Sequence, residues 1–198
     1  SLHNWFGARL PSFSRDYLFR SIACYAKGQF PAALADIDRS LALDPTEVTA
    51  LHHRGNVLFA LDRFADASAA YELTLKSSPA DGSLWNNLGV TLEKQGRTND
   101  ALLAFGRGTE CTPPSKNAFL GMAFIQVRNG LFDAAAATLE RLDTLNRAPG
   151  AASLAVRSVI ALRRGDATQA SALEQRARAV DAATTTWVFE QCGQAARP

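Results

Sequence analysis

The sequence predicts an all-α chain built as a stack of antiparallel helix pairs. Three observations carry this: a period of 34 residues, a breaker at the middle of each period, and a small residue at a fixed distance after the breaker. The breakers are Gly28, Asp62, Gly96, Gly130 and Gly165, spaced at 34, 34, 34 and 35 residues. An alanine follows each by five residues, at Ala33, Ala67, Ala101, Ala135 and Ala170. Proline closes the first three units at Pro45, Pro79 and Pro113.

Each unit reads as two helices of roughly 13 residues, or about 20 Å. In 48–81, Leu51, Leu58 and Phe59 keep helical spacing before Asp62 and Arg63 interrupt it. Ala69, Leu73 and Leu75 resume the pattern until Pro79, which lacks the N–H that a helix interior needs. A pair this short cannot bury its own faces, so it must stack on neighbours. The recurring alanine lets the second helix lie close against the first. Gly55 and Gly89 serve the same purpose on the first helix, and Ser21, Ala123 and Ser158 stand at the equivalent places.

The segment Trp85-Asn86-Asn87-Leu88-Gly89, followed by Gly96, Ala101, Phe105 and Pro113, resembles the tetratricopeptide repeat (TPR) almost position for position. Leu51 to Pro79 matches through Gly55, Leu58, Phe64, Ala67 and Tyr71. The resemblance spans residues 14–181 as five repeats, 14–47, 48–81, 82–115, 116–149 and 150–181. It departs at Arg20, where an apolar residue is usual. Arg147 replaces the closing proline, and Ala167 replaces an aromatic. The resemblance implies a right-handed α-solenoid whose first helices line a concave groove.

Residues 1–13 lie outside the period and carry Trp5, Phe6, Leu10 and Phe13. They are expected to cap the open end of the first repeat. A segment that docks on a partner or on a second copy through Trp5 and Phe6 is the alternative. Residues 182–198 are expected to form a solvating helix with Trp187, Val188 and Phe189, then a short tail.

By the resemblance, the groove presents His52, Asn56, Phe59, Asn86, Asn87, Val90, Lys94, Asn117, Leu120, Phe124, Val127 and Arg128. Its middle is rich in amides, which both donate and accept and so suit a peptide backbone. Its C-terminal third offers Leu120, Phe124 and Val127 to an apolar anchor or a helix face, with helix packing as the competing use. In one subclass, two Lys, two Asn and an Arg clamp a partner's C-terminal carboxylate. Asn56 and Asn87 match the asparagines, but His52, Asn117 and Gly121 stand where the cations belong. That clamp is therefore not expected. A ladder of asparagines is also missing, its sites being Phe19, His53, Asn87 and Gly121.

The remaining chemistry is sparse. A net charge of +2 is too small to argue for nucleic acid as a partner. His52 and His53 are adjacent and point about 100° apart on a helix, so they are not an i,i+4 metal pair. Gly106-Arg107-Gly108 lies within a helix and not after a strand, unlike a phosphate loop. Three separated cysteines, Cys24, Cys111 and Cys192, argue against a disulfide framework or zinc site. They suit a reducing compartment such as the cytoplasm, and a periplasmic or envelope location is also compatible. No apolar run approaches the roughly 20 residues that span a bilayer. The expectation is a non-catalytic adaptor without cofactor that holds a peptide or helix of another protein. The alternatives are a recognition module of a larger enzyme, such as a transferase, and a secretion chaperone. The basic balance, pI ≈ 8.6, disfavours the last.

Overall fold

The computed structural model describes residues 10–192, and the expectations for Trp5, Phe6 and the tail from Gly193 onward lie outside them. Among the described residues there are eleven helices and no strand. They are α1 Leu10–Ala26, α2 Phe30–Leu43, α3 Val48–Ala60, α4 Phe64–Ser77, α5 Gly82–Lys94, α6 Thr98–Glu110, α7 Lys116–Arg128, α8 Phe132–Asn146, α9 Ala151–Arg163, α10 Ala167–Val180 and α11 Ala182–Gln191. The chain forms two compact units, 1–101 and 102–198, divided within α6.

The breakers act through backbone geometry. Gly28, Gly96, Gly130 and Gly165 have φ between 72° and 85°, and Asp62 adopts 56°. Aspartate is one of the few side chains that tolerates this left-handed region, which explains how it replaces glycine once. After each breaker the next N–H reaches back five residues: Gln29 to Cys24, Arg63 to Leu58, Arg97 to Leu92, Leu131 to Gln126 and Asp166 to Ala161, at 2.8–3.0 Å. These bonds satisfy carbonyls that the ending helix would otherwise leave open. Side chains cap the other ends. Asp81 accepts from the N–H groups of Ser83 and Leu84, Ser115 from Ala118, and Asp181 from Thr184.

In the first unit α1 packs on α2, α2 on α3, α3 on α4 and α4 on α5. Ala33, Ala67 and Ala101 are fully buried. Gly55 lies against the Tyr71 ring so closely that an added Cβ would stand 2.5 Å from it. The Ser21 hydroxyl donates to the Ala33 carbonyl at 2.7 Å, so this small residue also ties the two helices together. The departure at Arg20 has a partner: its guanidinium grips the buried Asp36 carboxylate with Nε at 2.6 Å. That grip, with Arg39 also nearby, holds the Asp36 carboxyl below the usual carboxylate range. α1 begins at Leu10, four residues before the start expected for the first repeat. Pro11 falls in its first turn, where a missing N–H removes no helical bond.

In the second unit α7 packs on α8, α9 on α10, and α11 lies across α9 and α10. Ala135 and Ala170 are buried at the crossings, and the Ser158 hydroxyl donates to the Ala170 carbonyl at 2.7 Å, repeating the Ser21 arrangement. An added Cβ on Gly121 would meet the Phe105 ring at 2.6 Å. Without a closing proline, α8 continues to Asn146 and stops at Arg147, which turns left-handed at φ 60°.

Gly55→Leu should lower stability by about 1–3 kcal/mol through overpacking against Tyr71. Thermal melting followed by circular dichroism checks this, and an unmoved midpoint contradicts the close approach. Because Asp36 has a depressed pKa when folded, its contribution is present above the unfolded carboxylate pKa and fades as pH falls through the folded one. Asp36→Asn should therefore lower the melting midpoint at neutral pH and flatten its decline in acid.

Candidate interaction cleft

α3 and α5 bring together most of the groove residues expected in the first unit. Asn56, Phe59, Asn87 and Val90, joined by Tyr25 from α1 and Tyr71 from α4, line a cleft of about 220 Å³. These first four are half-buried, as are His52 and Asn86 beside them. Phe59 is set edge-on against Phe64 at 5.4 Å, and Tyr25 tilts against Phe30 at 5.3 Å. The aromatic wall is thus held by neighbours that follow the breakers.

The polar part is a connected chain. Tyr71 Oη donates to Asn56 Oδ1 at 2.7 Å. Asn87 Nδ2 contacts His52 Nε2 at 3.3 Å and Asn56 Oδ1 at 3.5 Å, while Asn86 Nδ2 reaches Asn87 Oδ1 at 3.5 Å. Burial pushes the Tyr71 hydroxyl well above the usual phenol range, so it remains a proton donor. Burial also holds His52 below the ordinary imidazole value, against an opposing pull from the Asp81 carboxylate. Lys94 is exposed in the last turn of α5. The cleft therefore offers neutral hydrogen-bonding groups over an apolar wall.

Tyr71 reaches the cleft from a second helix, outside the first-helix positions that the resemblance assigns to the inner face. A tyrosine at a buried second-helix position was the available signal, since a buried ring must find a partner for its hydroxyl.

The expectation for the second unit requires correction. Phe124 and Val127 are buried, at 9% and 2% exposure, in a core shared with Leu154, Val159, Val188 and Phe189. Leu120 packs against the same core. The Trp187 ring of α11 stands edge-on to Phe124 at 5.5 Å. The apolar anchor site is thus filled by the chain's own last helix. Asn117 and Arg128 are exposed at the ends of α7.

Among the described residues no cluster of three or more His, Cys, Asp or Glu is placed to hold a metal, and no helix is long and apolar enough to cross a membrane. Burial raises the Cys192 thiol to about 11, which keeps it protonated at neutral pH.

Comparison with known proteins agrees with this architecture. The tetratricopeptide repeat family model matches residues 20–81 and again 52–115. Residues 20–115 are tetratricopeptide repeats. TPR proteins are interaction modules, generally without catalysis, that bind other proteins, and this chain is accordingly a protein–protein interaction scaffold. Residues matching over 103 positions at 27% identity occur in the peroxisomal targeting signal receptor of Candida glabrata, covering 52% of this chain. The chain spans only 17% of that receptor's length. Solved structures share the fold at lower identity. YrrB, described as a TPR protein with an unusual peptide-binding site, has a TM-score of 0.65 and 21% identity, covering 88% of this chain and 90% of its own. MamA from Desulfovibrio magneticus RS-1 has a TM-score of 0.73 and 15% identity, covering 86% and 96%. The type IV pilus biogenesis factor PilW has 0.71 and 18%, covering 92% and 87%.

Because Phe124 is a core residue, Phe124→Ala should cost about 3–5 kcal/mol. A groove residue waiting for a partner would cost far less. Denaturant unfolding of the variant distinguishes the two.

Proposed function

We propose that the first unit holds an extended segment of a partner protein in the cleft between α3 and α5, and that the chain acts as an adaptor in a multiprotein assembly. The observation that carries this reading is the Asn56–Asn87 amide pair standing half-open beside the Tyr25, Phe59 and Val90 wall. Amides suit the alternating donors and acceptors of a peptide backbone, and the wall suits one apolar side chain. Among the described residues no lysine or arginine lines the cleft, which favours an internal, uncharged segment over a free C-terminal carboxylate.

The relatives support the same class of occupant. One is by name a receptor for a targeting signal, and another is described by its peptide-binding site. A module that selects substrates for a larger enzyme would use the same cleft. A role as a secretion chaperone draws no support from the cleft or from the basic charge balance.

A single cleft of this size implies micromolar binding, on the order of −8 kcal/mol. Replacing Asn56, Asn86 and Asn87 together with Ala should abolish recovery of the partner by affinity capture from the source cell. The fold should lose no more than about 1–2 kcal/mol, mainly from the Tyr71 hydroxyl left without its acceptor. Unchanged recovery of the same partner by the folded variant removes the polar cleft from the account.

A further inference from the structure

The amide chain at the cleft has two self-consistent hydrogen-bonding polarities, and one side chain chooses between them. An amide NH2 group can only donate. The 3.3 Å contact from Asn87 Nδ2 therefore makes His52 Nε2 an acceptor, with the ring proton on Nδ1. The same NH2 donates to Asn56 Oδ1, which also receives the Tyr71 hydroxyl. Asn56 Nδ2 is left as the uncommitted end of an amide that lines the cleft.

Protonated His52 carries a hydrogen on Nε2 as well, and two donors then face each other. Turning over the Asn87 amide relieves this by presenting Oδ1 to the imidazolium. That oxygen would then face Asn56 Oδ1, so Asn56 must turn over too. Its NH2 can donate to Asn87 Oδ1 and to the Tyr71 oxygen, whose own proton then turns toward the cleft that Tyr71 lines, because a phenol hydroxyl both donates and accepts. Asn86 takes the opposite polarity in step, since its amide contacts Asn87 on the other side. The uncommitted end of Asn56 is now its carbonyl.

We infer that His52 is a positioning residue that sets the polarity of the cleft: neutral, it makes Asn56 a donor to a bound peptide's carbonyl, and protonated, it makes Asn56 an acceptor. The inference deepens the proposed peptide-holding role of this same cleft and rests on it for its consequence, but not for its geometry.

Asp81, at the N-cap of α5, is the carboxylate that acts on His52. Tyr71 of α4 meets it edge-on at 6.1 Å. Its neighbour His53 is committed elsewhere. The Ser21 hydroxyl spends its only proton on the Ala33 carbonyl, so His53 Nε2 must donate to Ser21 Oγ at 3.1 Å. Tyr25 of α1 stacks edge-on against His53, and Asp38 of α2 is held by Arg54 at 2.7 Å. Two adjacent histidines thus carry opposite tautomers.

Nitrogen-15 NMR of the whole chain, without any ligand, tests this. Near neutral pH, His52 should show a bare Nε2 and His53 a protonated one. As pH falls, the side-chain amide signals of Asn56 and Asn87 should move together with the titration of His52. In His52→Leu they should stay still. Leucine suits the site because Leu18 and Leu120 occupy it in the first and fourth repeats. The same tautomer on both histidines would overturn the inference. So would amide signals that ignore His52 in the native chain or titrate equally in the variant. A failed partner capture leaves this readout untouched, so the two readings fail separately.

Discussion

Everything in this chain depends on how closely two short helices approach within a pair. Helices of 13–17 residues have too little surface of their own to be stable, so each must bury a face on its neighbour. Buried alanines at residues 33, 67, 101, 135 and 170 make the approach possible. Tyr71 over Gly55 and Phe105 over Gly121 use the room that the missing side chains leave. Ser21 and Ser158 do more than stay small, since each donates a hydrogen bond across its pair. Left-handed residues at each breaker turn the chain back sharply enough for the helices to run side by side.

This much was legible in the sequence because it is local and repeated. A period of 34 residues with a breaker and an alanine at fixed phase defines the pairs, and Asp62 could be read as a breaker by phase alone. Features set by a single long-range contact were not legible. Arg20 looked like a departure from the pattern until Asp36, 16 residues away, proved to be its buried partner. The early start of α1 and the extension of α8 to Asn146 depend on end effects that the period does not report.

The candidate site divides the same way. Positions 52, 56, 59, 86, 87 and 90 followed from the resemblance to the repeat family, and the first unit brings them to one cleft or its edge. The second unit shows the limit of that reasoning. Phe124 and Val127 hold the phase of groove residues, yet α11 packs across the unit, supplies Val188 and Phe189 to their core and sets the exposed Trp187 ring edge-on to Phe124. An inner-face position reports where a side chain points. Whether a later segment covers it is a matter of what the end of the array leaves exposed. Tyr71 makes the complementary point: a second-helix residue reaches the cleft because its ring spans the pair through the gap at Gly55.

The central claim is that the cleft between α3 and α5, and not the outer surface of the second helices, meets the partner. A photo-crosslinking amino acid placed in turn at Val90, on the cleft, and at Leu73, exposed on α4, tests it most directly. The account predicts a partner crosslink in the source cell from position 90 and none from position 73. A partner captured only from position 73 would contradict it.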